Sequence, residues 1–289
     1  MLSTSWSKIN GRVLRVGAVA YDPKVVTIWE GFKRYFLEQG LPFDFVLYSN
    51  YERQVEGQVA GQVDVAWNSP LAWIEAERAA RASGRRAVAL AMRDTDRDLT
   101  SVIVVRADSP IRTLSGLAGK TVAVGASDSP QATLIPLLHI ADSGVAPGKD
   151  CEILRHDLLV GKHGDHLGGE REAARALITG RADAACMIDG NHLAFSREGV
   201  FPAGSTRVLA QTAPYDHCNF TVLNDAPQQP VQKFLTLLLA MSYEDPSVRS
   251  LLDMEGLKQW LPGRVGGYAQ LNRAVDAAGT IDAWLARFR

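Results

Sequence analysis

The chain has 289 residues, 46% of them hydrophobic and 22% charged, a composition typical of a soluble globular protein with a buried core. Its 31 basic and 32 acidic residues give a net charge of −1, which argues against nucleic-acid partners because these require a clustered basic surface. No apolar run approaches the ~20 residues that cross a bilayer, so we expect no membrane insertion.

Short apolar strands alternate with amphipathic helices through the first hundred residues. The predicted strands span residues 13–20, 43–48, 63–67 and 87–92. The helices between them begin after Asp22, near Tyr51 and after Ser69. This repeated β–α–β order implies a mainly parallel sheet with helices on both faces.

A second set of the same kind begins with a long strand at 101–110. Further strands are predicted at 121–127, 151–157, 182–189, 207–214 and 219–224, and helices from Pro130 and over Glu172–Ile178. The remainder is predicted to be helical, over Val231–Met241, Val248–Trp260, Tyr268–Ala278 and Ile281–Phe288.

The restart of the alternation predicts that the chain crosses twice between two lobes, near Ser101–Arg106 and near Phe220–Asn224. A discontinuous first lobe would comprise residues 1–103 and 220–289. An inserted second lobe would comprise residues 104–219, with a ligand cleft between the two lobes.

Three strand-to-helix junctions share one form, with Asp or Ser followed by proline. Asp and Ser are favoured N-cap residues, and proline suits the first helical position. The free N–H groups at such helix starts attract anions at the carboxyl ends of the strands. We therefore expect an anion-accepting cleft between the lobes. The junctions are Tyr21-Asp22-Pro23, Asn68-Ser69-Pro70 and Asp128-Ser129-Pro130.

The segments DVAWNSPLAWI, SVIVVRADSPIRTLSGLAGKTVAVG and GRADAACMIDG, in this order, resemble type 2 periplasmic binding proteins. The resemblance covers residues 13–225 and is nearest to the phosphate, phosphite and phosphonate branch of ABC transport systems. It implies an α/β, two-lobed fold with a double interlobe crossover that closes on a small ligand. We predict no cofactor. The resemblance implies a transporter permease as partner if the protein is exported.

The resemblance also places the ligand contacts, one position at a time. The family's Ser-Thr-Ser run is replaced here by Ser129-Pro130-Gln131, and Asp128 would repel a phosphonate dianion unless it caps the helix or is protonated. The implied contacts are Ser127, Asp128, Ser129, His163 and Asp189 in the second lobe, Trp67, Asn68 and Ser69 in the first, and an aromatic wall at Tyr21 or Tyr48.

All histidines and cysteines lie between His139 and Cys218, which suggests that one segment carries a site. We predict that at least three of His163, His166, Asp189 and His192 line one pocket. His163 and His166 could ligate a metal, but hydrogen bonding to the ligand is the favoured interpretation. Further candidates are Asn191 and His217 as ligand contacts, and His163, His166 and Cys218 as catalytic groups.

His217 and Cys218 are expected to point to opposite faces, because neighbouring residues in a strand do so. Two functions then remain open. The first is a substrate-binding protein for a small polar, anionic ligand that is phosphonate- or phosphate-like or a carboxylate. The second is a cytoplasmic enzyme of lyase, decarboxylase or hydrolase type that uses the histidine, aspartate and cysteine groups of the second lobe.

The N-terminal residues lack the apolar run of a secretory signal, and the three cysteines suggest free thiols. The chain as written is therefore expected to be cytoplasmic, or periplasmic if a leader preceded it.

Overall fold

The computed structural model describes residues 11–164 and 168–288, and these residues form eleven strands and ten α-helices. The strands are β1 (Leu14–Val19), β2 (Phe43–Tyr48), β3 (Val65–Asn68), β4 (Ala87–Arg93), β5 (Ser101–Arg106), β6 (Thr121–Val124), β7 (Glu152–Arg155), β8 (Ala184–Ile188), β9 (Thr206–Gln211), β10 (Asn219–Leu223) and β11 (Trp260–Pro262). The helices are α1 (Lys24–Glu38), α2 (Tyr51–Val59), α3 (Pro70–Ala82), α4 (Ile135–Asp142), α5 (Glu170–Ile178), α6 (Asp189–Arg197), α7 (Gln228–Leu239), α8 (Pro246–Glu255), α9 (Ala269–Ala278) and α10 (Asp282–Leu285).

The strands form two separate mixed sheets. The first sheet has the order β11-β4-β10-β3-β1-β2, and the second has the order β7-β6-β8-β5-β9. In the first sheet β1 runs parallel to β2 and β3, whereas β10 runs antiparallel to β3 and β4. In the second, β5 runs antiparallel to β8 and β9. Both sheets are therefore mixed and not mainly parallel as predicted. The reason is that β5 and β10 each follow a crossing between the lobes and are antiparallel to their neighbours.

The lobes are joined by the segments 94–100 and 212–218. These segments pair with each other, because Leu99 and Tyr215 exchange two backbone hydrogen bonds of 2.8 Å. The strand β5 lies wholly in the second sheet and β10 wholly in the first. The crossings thus precede the strands in which we expected them, and the expected boundary at residue 103 falls inside β5.

A buried ion pair stabilises this hinge. The guanidinium of Arg93 donates to both oxygens of Asp96, at 2.6 and 2.8 Å. Burial alone would raise the pKa of Asp96, but the charge of Arg93 lowers it far below its usual value. Asp96 in turn accepts a hydrogen bond from the backbone N–H of Cys218, which ties the first crossing segment to the second.

Aromatic side chains fill the core of the first lobe. Phe220 lies at ring-centroid distances of 4.6 Å from Trp67 and 5.3 Å from Trp260. The predicted apolar face of α1 is confirmed, since Phe32 and Phe36 are buried against this cluster. None of the described helices has the length and apolar character that a bilayer span requires.

The C-terminal helix prediction was wrong at one end. The helix α8 stops at Glu255, because Gly256 follows with a φ of +77° that ends the helix. Trp260 then opens β11, which pairs with the edge of β4. The helix α6 was also not predicted.

We expect Trp260→Ala to lower the free energy of unfolding by about 3–5 kcal/mol, because it empties a large site in the first-lobe core. Urea denaturation followed by circular dichroism measures this change. Met254→Ala, at an exposed position on the preceding helix, is the control and should change stability by less than about 0.5 kcal/mol. Equal effects of the two substitutions would contradict the assignment of Trp260 to the core.

Candidate ligand-binding cleft

Each lobe presents a helix start that is capped by a serine. In the first lobe Ser69 Oγ accepts a hydrogen bond from the N–H of Ala72 at the start of α3, at 3.1 Å. In the second lobe Ser129 Oγ accepts one from the N–H of Ala132, at 3.2 Å. The turn after Ser129 is π-helical and leads into α4. Both serines are completely buried, so their hydroxyls face the protein interior or an enclosed ligand.

A loop of the second lobe, residues 158–164, lies between these helix starts; we call it the cleft loop. His163 Nδ1 lies 2.6 Å from Ser69 Oγ, and the imidazole stacks on the ring of Tyr51 at a centroid distance of 4.7 Å. The ammonium of Lys162 donates to the carbonyl oxygens of Ala20 and Ser49. The loop therefore contacts first-lobe residues that follow β1, β2 and β3.

The same loop is held by its own lobe. Asp128 Oδ2 accepts a hydrogen bond from the N–H of Gly161 at 2.5 Å. Gln131 Nε2 donates to the carbonyl of Gly164 at 2.7 Å. The backbone of Gly164 has a φ of +67°, and a Cβ atom there would overlap the side chain of Ser129. Glycine is thus required for this close approach.

The backbone of His163 is strained. Its φ is +53°, a region that residues other than glycine occupy rarely and at a cost of about 1–3 kcal/mol. The side chain is only 1% exposed. The surrounding contacts therefore hold one specific orientation of the imidazole, in which Nδ1 faces Ser69.

Carboxylates surround the other ring nitrogen. His163 Nε2 lies 3.9 Å from Glu52 Oε1 and 3.9 Å from Glu75 Oε1. Burial raises the pKa of Glu75 to about 8, with neighbouring Glu52 and Asp128 acting in the same direction and His163 in the opposite one. Burial alone would lower the pKa of His163, but the charges of these carboxylates raise it above its ordinary value. A protonated Glu75 is therefore favoured near neutral pH.

Several residues implied by the sequence meet at this cleft. Asn68 Oδ1 accepts a hydrogen bond from Gln54 Nε2 at 2.7 Å, beside Ser69. The N–H of Ser127 donates to Asp157 Oδ1 at 2.8 Å, just before the cleft loop. Tyr21 and Trp67 line a cavity of ≈ 10 Å³ next to Tyr51 and Glu255, which is room for about one water molecule. The cleft thus brings together Asn68, Ser69, Asp128, Ser129 and His163.

Three other candidates, Tyr48, Asp189 and Asn191, make contacts of their own. Tyr48 packs against α2, with its hydroxyl 3.4 Å from Gln62 Oε1. Asp189 Oδ2 accepts a hydrogen bond from Thr100 Oγ1 at 2.6 Å, and the amide of Asn191 donates to Glu170 at 2.6 Å.

The prediction that at least three of His163, His166, Asp189 and His192 line one pocket stays a prediction. His192 Nε2 lies 3.2 Å from Thr206 Oγ1, and its ring lies beside Phe201. These contacts, like those of Asp189, differ from the contacts of His163. His166 lies outside the described residues.

His217 and Cys218 contradict the expectation that they point apart. His217 Nδ1 lies 3.1 Å from Cys218 Sγ. Both residues precede β10, so the alternation of a strand does not apply to them. Cys218 is 2% exposed and is packed in the first-lobe core. The pair lies beside Asp96 at the hinge, since His217 Nδ1 is 3.5 Å from Asp96 Oδ1.

Sequence reasoning missed Glu52 and Glu75. Glu75 stands between Ile74 and Ala76, and all three are buried on α3. A carboxylate inside such an apolar run was the available signal, because glutamate is almost never fully buried without a partner. Glu52 carried no such signal, since acidic residues in the first turn of a helix are common.

We expect Glu75→Gln to raise the free energy of unfolding of the ligand-free protein at pH 8.5 by about 1–3 kcal/mol, because the substitution removes a buried carboxylate that is ionised at this pH. The pKa of Glu75 is raised from 4.5 to about 8, so its ionisation destabilises the fold progressively as pH rises through this range. At pH 5 the two proteins should be equally stable. Thermal unfolding at both pH values tests this, with Glu77→Gln on the same helix as control. A stabilisation that is the same at pH 5 would contradict it.

Comparison with known proteins places this architecture in a family. The family described as "ABC transporter, phosphonate, periplasmic substrate-binding protein" matches residues 18–264. PhnD1 of Prochlorococcus marinus, solved with methylphosphonate, is similar to the chain at a TM-score of 0.66 and 16% identity, over 92% of this chain and 98% of that one. A Xanthomonas citri protein solved with ATP is similar at a TM-score of 0.70 and 18% identity, over 94% and 99% of the two chains. The fold is thus that of two-lobed periplasmic binding proteins, and the chain belongs to the phosphonate-binding family of ABC-transporter substrate-binding proteins.

Proposed function

We propose that the protein encloses a small oxyanion, phosphonate- or phosphate-like or a carboxylate, between Ser69, Ser129 and His163. One observation carries this proposal. Two buried N-cap serines, one from each lobe, lie against adjacent residues of the same loop, since Ser69 contacts His163 and Ser129 contacts Gly164. A ligand that displaces this loop would meet both helix starts at once.

The chemistry of these groups favours an oxyanion. Serine hydroxyls and the backbone N–H groups of a helix start donate hydrogen bonds to anionic oxygens, and the helix dipole adds to the attraction. His163 has a raised pKa and can add a charged donor. A relative of the same fold was solved with methylphosphonate, which supports this ligand class.

Glu52 and Asp128 limit which oxyanions bind well. Both border His163, and like charges close together repel. We therefore expect monoanions, or ligands that enter together with a compensating cation, to bind more tightly than an isolated dianion.

We also propose that the protein works outside the cytoplasmic membrane and delivers its ligand to a transporter permease. The family to which the chain belongs supports this, because its members are described as periplasmic components of ABC transporters. Nothing in the family supports the enzyme hypothesis, and the buried thiol of Cys218 is engaged in the hinge.

Ser129→Ala and Ser69→Ala should each weaken oxyanion binding about 10-fold, the effect of losing a hydrogen bond to a charged group. Calorimetric titration with methylphosphonate, phosphate, methanesulfonate and acetate measures this and identifies the preferred class. Ser143→Ala is a matched control, because Ser143 Oγ donates to the carbonyl of Ile140 at the end of α4, within its own helix end. Affinities that remain unchanged in both cleft variants would remove the helix starts from the site.

A further inference from the structure

We propose that Glu52, Asp128 and His163, with Glu75 beside them, bind a divalent metal ion of the zinc class between the lobes. One ligand atom from each of Glu52, Asp128 and His163 lies within 4.8 Å of the other two. Zinc holds nitrogen and oxygen ligands at about 2.0–2.2 Å, which places the ligands about 3–3.5 Å apart. A side-chain movement of about 1 Å closes the site to that spacing.

Each of these four side chains also carries a buried atom that lacks a hydrogen-bond partner among the residues the structure describes. These atoms are His163 Nε2, Glu52 Oε2, Glu75 Oε2 and Asp128 Oδ1. Buried polar atoms in folded proteins are nearly always paired, with protein, water or an ion. Four such atoms in one cluster of side chains therefore indicate missing partners, and a bound ion is a partner that several of them can share. A metal cation suits this place, because three of the four groups are carboxyls and metal binding displaces the proton that Glu75 carries without it.

The orientation of His163 supports a metal rather than a simple charge contact. Its Nδ1 lies 2.6 Å from Ser69 Oγ, which fixes the ring and directs Nε2 toward Glu52 and Glu75. Metal-bound histidines are held in this way, with the ring nitrogen that is not bound to the metal hydrogen-bonded to a protein group. An imidazole nitrogen combined with carboxylate oxygens is a donor set that suits zinc.

A second cluster in the same protein provides a comparison. Asp96, His217 and Cys218 are equally close together, but both oxygens of Asp96 accept hydrogen bonds from Arg93. A guanidinium thus already supplies the cation at the hinge. In the cleft, Glu75 Oε2, Asp128 Oδ1 and His163 Nε2 have no hydrogen-bond partner among the described residues. The cleft cluster is therefore the one that an ion completes.

The site would join the two lobes. Glu52 on α2 and Glu75 on α3 belong to the first lobe, whereas Asp128 and His163 belong to the second. An ion bound by all four groups stabilises the closed arrangement and offsets the negative charge that opposes an anionic ligand. The inference deepens the proposed function, since the cation would sit beside Ser69, but the metal is tested without any oxyanion.

Calorimetric titration of the chelator-treated full chain with zinc chloride alone tests the inference, with bound metal counted by mass spectrometry. We expect one ion per chain. Affinity should fall at least about 100-fold in Glu52→Gln and in His163→Asn. Asparagine tolerates the positive φ at this position, and Glu52→Gln, on a partly exposed side chain, keeps the test valid if the His163 variant fails to fold. Glu56→Gln, one turn further along α2, is the matched control and should bind as the wild type does.

Three outcomes overturn the inference: the absence of a stoichiometric ion, binding that survives both substitutions, and binding of ethanolamine but not of zinc that depends on Glu52. The last outcome would assign the cluster to an organic ammonium group. Oxyanion titrations in the presence of chelator report on Ser69 and Ser129 independently. Failure of the metal site and failure of the proposed function are therefore distinguishable.

Discussion

The closed arrangement of this protein depends on the seating of one buried histidine. His163 lies against Ser69 of the opposite lobe, stacks on Tyr51 and faces two carboxyls, while its own backbone is held in a left-handed conformation. Such strain persists only where many contacts determine one geometry. The hydrogen-bond partner of this buried imidazole, Ser69, belongs to the other lobe, so the contact joins the two lobes.

Opening of the cleft requires more than a hinge motion, because the hydrogen bonds that the cleft loop makes with the first lobe must be replaced. Lys162 and Gly161 make hydrogen bonds to first-lobe backbone groups, and His163 of the same loop contacts Ser69, which caps the start of α3. A ligand must provide comparable hydrogen bonds before it can take the place of the loop. The crossing segments pair at Leu99 and Tyr215 and are anchored by Arg93 and Asp96. We therefore expect them to keep their position when the lobes open and close.

Two clusters that each combine a histidine with carboxylate groups show how the surroundings decide whether a cluster is structural or can bind a cation. Asp96, His217 and Cys218 lie beside Arg93, which neutralises the aspartate and makes the cluster a structural element. Among the described residues no arginine forms an ion pair with Glu75 or Asp128, and burial instead raises the pKa of Glu75. The charge that completes the cleft cluster must therefore come from His163 or from a bound cation.

The sequence by itself determined the two-lobed α/β fold, the apolar face of α1 and the serine-capped helix starts at Ser69 and Ser129, because periodicity and capping are local properties. Only the tertiary structure decided that Glu52 and Glu75 meet His163 and that His163 lies against Ser69. These contacts join residues about 90 to 110 positions apart, and their geometry depends on how the lobes close. No local pattern encodes that distance, so the electrostatics of the cleft could not be predicted from the chain alone.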